Sequence, residues 1–533
     1  MLFRSSEAYQ FADGRQRAYR GYAGFDNPYW VVNNTPFTDE VNRIVAYAQA
    51  DYTPADWISV MYRVGQDFYS DRRKQIYAVN SNSYVAGRII EDQYFNSDIT
   101  SDLIVTMRKD FDQDLKGSLI LGQNMYSKSL DNLYATGDDL VIPGFYNMSN
   151  ASTLNTGQSK VSKRTAAVYA DAKLEYKNYL YVNATLRNEW STTLPAANNS
   201  FMFGSGSLGL VLSELMGPSE TINFMKLRAS YALVGKDAPI YSTQTLFTKA
   251  GVADGWTNGI TFPFNGSAGF QMSSSLGAAD LKPEMKSEIE IGLEGRLFNN
   301  TVTFDVNYYD NTSTDQIFAV PTAASSGYTS KLMNAGSIKN SGIELQLGAR
   351  LLDVDGFTAD LNVNWSKNVS KVVSLAEGVE NIYINGFTGA QIRAVAGKPY
   401  GTIFGGKWAR DSVTGKRIIG ANGYPVVSDE EGELGNINPN WIAGSRLTLG
   451  YNGLTVSALL DIKSGGVMWN GTRGALMNYG MAKETENRGT LQVFDGVRQV
   501  NGSWVTNDTA VPDRKSTRLN SSHEWISRMP SSA

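Results

Sequence analysis

Long runs in which apolar and polar side chains alternate constrain this 533-residue chain more than any other feature. Along 301–308 every second residue is apolar, and Thr, Asp and Asn occupy the positions between; 287–297 and 357–365 repeat the pattern. A period of two is that of a β-strand whose faces meet different surroundings. The runs are about nine to twelve residues long, whereas strands of globular proteins usually have about five or six. Since a tilted strand needs about nine to eleven residues to cross a bilayer, their length favours a transmembrane β-barrel over a soluble sandwich.

The connections between these runs fall into two classes. Tight turns rich in Asn and Gly, which tolerate the positive φ of short hairpins, are expected at Lys177-Asn178, Asn299-Asn300, 353–356 and Asn452-Gly453. About 50 residues separate Lys236 from Ile289, and about 70 separate Val369 from Trp441. Short turns at one end and long loops at the other are typical of outer-membrane barrels.

Composition agrees with a barrel and excludes several kinds of chemistry. Charged residues make up only 19% of the chain, against about 25% in soluble domains. Aromatic residues lie near the ends of the runs, where rings favour a membrane interface: Trp57, Trp190, Tyr308, Tyr309, Trp365 and Tyr451. The net charge of −4 does not favour nucleic acid. With no cysteine and a single histidine, His523, the chain lacks the common tools of nucleophilic, general-base and transition-metal chemistry. We therefore predict no catalysis, no metal and no cofactor.

The alternating runs predict fourteen strands of one antiparallel barrel, and we find no linker that would divide them. They are expected near 41–51, 56–70, 97–110, 113–127, 163–176, 179–190, 201–216, 222–234, 286–298, 300–311, 340–351, 355–367, 441–451 and 453–463.

Four motifs follow one another over about 280–470. The first is Leu281-Lys282-Pro283-Glu284 with Glu290 and Gly292, and the second runs from Asn334-Ala335-Gly336 to Gly342 and Glu344. The others are Gly397-Lys398-Pro399-Tyr400-Gly401, and the stretch 434–441 (LGNINPNW) with 461–466 (DIKSGG). In this order they resemble the SusC/RagA group of TonB-dependent transporters. We expect the motif residues to serve mainly architecture, with Glu290 and Glu344 on a polar, water-facing side.

The resemblance implies a barrel of about 22 strands with a plug domain, in the outer membrane of a bacterium. It implies energy-coupled import of a nutrient, an oligosaccharide or a peptide, with a SusD-like surface lipoprotein and the TonB complex as partners. Fourteen strands without a plug or signal peptide predict a fragment, and an open sheet of that kind is not expected to insert into lipid alone. We assign residues 1–513 to the partial barrel. Residues 514–533, which break every pattern, are expected to be a non-native tail.

Aromatic residues in the long loops are candidates for contact with a sugar ligand: Trp256, Tyr383, Trp408 and Tyr424. Packing of each ring within its own loop is the competing interpretation. The segment Asp411–Lys416 could suggest a calcium loop, but it lacks the spaced carboxylates of one, and a hairpin turn is expected instead. Two other functions stay open: a surface barrel or adhesin that transports nothing, and a secreted β-rich glycan-binding or glycosidase domain.

Overall fold

The computed structural model describes residues 8–17, 26–252, 259–387, 389–478, 482–486 and 490–512. One antiparallel sheet dominates it, and its fourteen long strands pair strictly in chain order. These strands are β1 Phe37–Ala55, β2 Ile58–Tyr77, β3 Arg88–Asp110, β4 Leu115–Leu140, β5 Ala151–Tyr176, β6 Leu180–Ser191, β7 Ser200–Val211, β8 Ile222–Lys236, β9 Glu284–Leu297, β10 Val302–Pro321, β11 Ser330–Val354, β12 Phe357–Leu375, β13 Pro439–Tyr451 and β14 Leu454–Gly465. The antiparallel all-β prediction is confirmed. Each predicted strand corresponds to one of these fourteen.

Smaller elements belong to the connections. A four-stranded sheet is formed by Asn381–Phe387, Ala390–Val395, Thr402–Gly405 and Gly432–Asn436. Short pairs join Phe247–Lys249 to Phe270–Met272, Gly251–Val252 to Ile260–Thr261, Leu491–Val493 to Ala510–Pro512 and Val497–Val500 to Ser503–Thr506, while Ser275–Leu276 runs parallel to the start of β11. The helices are α1 Pro28–Asn34, α2 Leu212–Met216 and α3 Gly471–Asn478, with 3-10 turns at Met148–Asn150, Ala324–Ser326 and Lys483–Thr485. Within the described ranges, no helix has the length and apolar character to cross a membrane.

The tightest turns lie at one end of the sheet, which we call the turn end, because consecutive strands alternate in direction. Both central residues have positive φ at Lys177-Asn178, at Asp355-Gly356 and at Asn452-Gly453, as the tightest hairpin turns require. The opposite end, the loop end, carries the long connections 237–283 and 376–438. The predicted asymmetry is therefore present.

The two faces of the sheet differ as the alternation predicts. Ile291, Tyr308 and Ile343 are paired side by side on one face and are 49%, 44% and 44% exposed. The next residue of each strand points to the other face, where Asn307 pairs with Gly292 and Glu344. We call these the apolar face and the polar face. Exposed apolar rows reverse the arrangement of a soluble sheet and suit contact with lipid.

The sheet does not close on itself within the described residues, where β1 pairs only with β2 and β14 only with β13. Its height at the loop end is uneven. Strands β1–β5, the tall wall, continue well beyond the neighbouring strands, since β6 ends at Ser191 opposite Thr165 while β5 extends back to Ala151. Strands β6–β9 form a low rim, and β10–β12 form a second wall.

The main departure from the predicted boundaries is this extra height. Strand β3 begins at Arg88 rather than near residue 97, β4 continues to Leu140 and β5 begins at Ala151. The ladder of backbone hydrogen bonds continues there in register, although apolar and polar residues no longer alternate cleanly. The predicted strand 201–216 is wrong at its end, where α2 replaces strand from Leu212.

Candidate functional site

The first two motifs meet across the loop end. The side-chain amide of Asn334 accepts a hydrogen bond from the Lys282 backbone N–H and donates one to the Lys282 carbonyl, both at 2.9 Å. This exchange imitates a strand pair, which an aliphatic side chain could not do. Leu281 beside it is fully buried in a cluster with Leu194 and Phe201. These residues act as the expected architectural anchor for the C-terminal end of loop 237–283.

The N-terminal end of the same loop is held by a partly buried carboxylate. One Asp237 oxygen lies 2.6 Å from Lys163 Nζ on β5 and accepts hydrogen bonds from the hydroxyls of Ser191, at 2.6 Å, and Thr193, at 3.0 Å. Burial acts to raise the pKa of the Asp237 carboxyl, but these three partners outweigh it, so the pKa lies below its ordinary value. The charge of Asp237 therefore ties the loop to the tall wall and to the connection after β6.

Between these anchors, loop 237–283 reaches both walls. The Tyr241 hydroxyl accepts a hydrogen bond from the Ser162 N–H of β5 at 3.1 Å, and Lys249 Nζ lies 3.0 Å from the Asn155 side-chain oxygen. Farther along, Ser275 and Leu276 pair with the first residues of β11. The loop thus spans the low rim.

The third and fourth motifs also contact each other. The Tyr400 carbonyl accepts hydrogen bonds from the side chains of Asn436 and Asn438 at 3.2 and 3.0 Å. The Gly401 carbonyl accepts one from Ile437, while Val467 donates to Asn436. Gly401 has a φ of +85°, and a side chain there would strike Ile437. These motifs hold the four-stranded loop sheet against the ends of β12, β13 and β14.

Three of the four predicted ligand-contacting aromatics, Tyr383, Trp408 and Tyr424, lie among the described residues. Trp256 lies outside the described residues. Trp408 is half-buried, and its indole nitrogen is buried without a hydrogen-bond partner in the described part of the chain. Tyr424 packs on Phe494 with ring centres 5.8 Å apart and donates to the Pro512 carbonyl, which fits the packing interpretation. Only Tyr383 combines a described position with an accessible side chain, at 49% exposure, and its hydroxyl donates to the Gly386 carbonyl.

An exposed aromatic pair near Tyr383 was not predicted. The rings of Phe387 and Trp469 lie 4.6 Å apart, tilted by 35°, and are 63% and 36% exposed. The pair joins the loop sheet to the chain after β14. No local pattern identifies it, because the residues are 82 positions apart and neither lies in an alternating run. We call Tyr383, Phe387 and Trp469 the rim aromatics.

The segment 411–416 is a turn, as expected. The Asp411 side chain accepts hydrogen bonds from the Thr414 N–H and hydroxyl, and these bonds lower the pKa of the Asp411 carboxyl. Arg410 and Arg417 pair on either side of it as a hairpin. Among the described residues no group of three or more His, Cys, Asp or Glu side chains could hold a metal ion.

The polar face carries ion-pair networks that join neighbouring strands. Arg228 of β8 contacts Glu294 of β9 at 3.0 Å and Asp305 of β10 at 2.8 Å. On the tall wall, Asp102 accepts from Arg63 at 2.9 Å and from Asn124 at 2.8 Å. Water-accessible charge on one face and exposed apolar residues on the other are what a wall between a polar channel and lipid requires.

Comparison with known proteins identifies the family. A family model described as "TonB dependent receptor-like, beta-barrel" matches residues 3–518. The chain belongs to this TonB-dependent receptor family. The TonB-dependent receptor P26 of Formosa agariphila is 27% identical over 355 residues, which are 61% of this chain and 34% of that protein. The TonB-dependent receptor SusC of Bacteroides thetaiotaomicron is 19% identical over 422 residues, 72% of this chain and 39% of that protein. The predicted SusC/RagA resemblance is confirmed.

Solved structures agree on the fold. The structure titled "Structure of the RagAB peptide transporter" superposes with a TM-score of 0.72 at 20% identity, covering 86% of this chain and 51% of that one. The same complex, titled a peptide importer in its "closed-closed" state, gives 0.71. This chain thus spans about half of that chain, and its matched stretches span well under half of the curated relatives. The family is one of transporters and receptors of the outer membrane.

Proposed function

We propose that this chain supplies wall and outer loops to an outer-membrane transporter that imports an oligosaccharide or a peptide. One observation carries the proposal: an uninterrupted fourteen-strand meander has an apolar exposed face, a charged opposite face and long loops at a single end. In barrels of this kind the short turns face the periplasm and the long loops face the medium. The rim aromatics would therefore meet ligands arriving from outside.

The family supports two partners for this proposal. Transport is energised through TonB, and a SusD-like surface lipoprotein covers the loop end. The rim aromatics give the ligand a first contact, since exposed rings stack on sugar faces and on aromatic or cationic side chains of peptides. A surface barrel that transports nothing is the alternative, and its ligand uptake would not depend on TonB.

Uptake by the source bacterium tests the proposal. We expect that deleting the gene abolishes growth on at least one oligosaccharide or peptide mixture supplied as sole carbon source, and that deleting tonB does the same. Complementation with Phe387→Ala/Trp469→Ala should lower uptake of that nutrient at least about tenfold at limiting concentration, because two stacking contacts are lost. Phe264→Ala is the matched control, since Phe264 is a 50% exposed loop aromatic without a ring neighbour among the described residues. Uptake that persists without TonB would overturn the proposal.

A further inference from the structure

The upper part of β5 has a free hydrogen-bonding edge. Strand β5 pairs with β4 from Tyr176 up to Ala151, but with β6 only from Tyr176 to Thr165. Above Thr165, the edge of β5 that turns away from β4 has no strand beside it within the described residues. This edge faces the gap over the low rim.

The backbone groups that point to this edge follow from the alternation of an antiparallel ladder. Arg164 exchanges hydrogen bonds on this side with Thr192, and the Ser162 N–H and Lys160 carbonyl both bond to the Tyr241 hydroxyl. In this part of β5, the backbone N–H and C=O groups of even-numbered residues therefore point away from β4. The next ones are Leu154, Thr156 and Gln158.

The N–H and C=O groups of Leu154, Thr156 and Gln158 bond to none of the described residues on this edge. Lys249 approaches nearby but contacts the side chain of Asn155. The register with β4 is regular down to Thr153, so the free groups keep the spacing of an open strand template.

Exposed edges are normally protected by charge, proline or a bulge. The stretch 151–159 of β5, with the sequence ASTLNTGQS, contains neither a charged residue nor a proline. The corresponding free edge at the start of β11 is covered by the chain itself, through Ser275 and Leu276. Of these two wall edges, the one on β5 is left open by the described residues.

The free edge lies outside the lipid layer. Trp190 lies near the loop end of β6, at the height where aromatic residues are expected to meet the membrane interface, which we call the aromatic level. It pairs with Ala166, and Gln158 and Leu154 are eight and twelve residues farther along β5. At about 3.4 Å per residue they lie roughly 25–40 Å beyond that level along the strand. An occupant would come from water.

We propose that the edge Leu154–Gln158 binds an extended peptide of about five to seven residues, which adds to β5 as an antiparallel strand. A polypeptide backbone matches alternating N–H and C=O groups at this spacing, and a sugar does not. Tyr241 bounds the edge below, and above it the ladder to β4 is interrupted at Asp139, which has a positive φ. So short a template suits a free peptide rather than a protein interface, which needs about 1,000 Å² or more. Recognition through the backbone tolerates many peptide sequences.

Hydrogen exchange on the full-length receptor in detergent micelles tests the edge without any mutation. In the free protein we expect the amides of Leu154, Thr156 and Gln158 to exchange quickly and those of Asn155 and Gly157, which pair with β4, to be protected. Adding the peptide acetyl-KTVTVTK-amide should protect the first set. The same peptide N-methylated at its third and fourth residues, which blocks both of its edges, should not. Protection of the first set before any peptide is added would show that the chain covers its own edge and would overturn the proposal.

A matched pair of variants tests affinity. Thr156→Pro removes an N–H that the β4 ladder does not use, and it should weaken binding of the peptide at least about fivefold. Thr156→Val keeps the N–H and should bind within about twofold of wild type. Equal affinity of both variants would contradict the proposal, as would protection by a strand of the surface lipoprotein but not by the peptide. The inference rests on the proposed function only for the side of the membrane that the edge faces. Peptide binding without TonB-dependent uptake would therefore overturn the proposed function alone.

Discussion

The lower and upper halves of the tall wall are built from the same strands but obey different rules. Near the turn end, strands β3 to β5 alternate, and apolar residues such as Leu121 and Leu174 are exposed on one face. Near the loop end the same strands mix polar residues with apolar ones such as Ile89, Ile90 and Leu133 in no strict order, and yet their pairing continues in register. Lipid on one side imposes alternation, whereas the backbone ladder alone is enough to continue a strand into water.

The low rim and the walls also differ in how they are built above the aromatic level. Strands β6–β9 stop near the aromatic level, and loop 237–283 spans the gap above them through Asp237, Tyr241 and Asn334. The walls extend by hydrogen bonds between strands, while the rim is covered by side-chain contacts. Substitutions placed by height and by face should therefore have unequal effects.

The largest effect is expected from a charge on the apolar face at membrane depth. Ile291→Lys places an ammonium in hydrocarbon and should lower the free energy of unfolding of the receptor in lipid vesicles by about 2–4 kcal/mol. Leu154→Lys is the control, because Leu154 is 57% exposed on the same face but lies far above the aromatic level; it should cost less than about 0.5 kcal/mol. Urea titration of both variants in the same vesicles gives the comparison. Similar losses would mean that the upper strands also contact lipid.

A smaller effect is expected where a ring lies over a glycine of the next strand. Gly122 of β4 pairs with Tyr169 of β5, and an added Cβ would collide with the tyrosine ring. Gly122→Ala should therefore destabilise the receptor by about 1–3 kcal/mol. Gly206→Ala on β7 is the control, since a Cβ there meets nothing within 4 Å.

The same collision provides an internal check. The double variant Gly122→Ala/Tyr169→Ser removes the ring and should lose less stability than the sum of the two single variants, a coupling that a double-mutant cycle measures. Additive losses would show that the ring and the glycine do not interact.

The sequence was sufficient to predict the long strands, but it did not predict the contacts that hold the loops. The turns at Lys177-Asn178 and Asn452-Gly453 are encoded locally, by residues that accept positive φ. The extension of β3 back to Arg88 has no such signal, because apolar and polar residues do not alternate there: Ile89 and Ile90 are adjacent, and Ile89 is fully buried. The link from Asn334 to Lys282 joins residues 52 positions apart, and that between Phe387 and Trp469 joins residues 82 apart. Contacts of this kind depend on where the strands place the loop ends, which no periodicity reports.

The smallest effect is expected from the carboxylate that begins loop 237–283. Asp237→Asn removes the charge held by Lys163, Ser191 and Thr193, so the loop should open more readily by about 1–2 kcal/mol while global stability changes little. Asp280→Asn, an exposed acid at the other end of the loop, is the control. The rate of proteolysis within the loop measures opening.

The pH dependence of that opening identifies the Asp237 charge as its cause. Because the pKa of Asp237 is lower in the folded protein than its ordinary value, the group stabilises the closed loop fully above about pH 4. That contribution is lost as the pH falls through the lower, folded pKa. Wild-type proteolysis by an acid-active protease should therefore accelerate below about pH 4, and the Asp237→Asn variant should lack this step. A step of equal size in both proteins would assign the acid sensitivity to other carboxylates and would leave the loop held by Tyr241 and Asn334 alone.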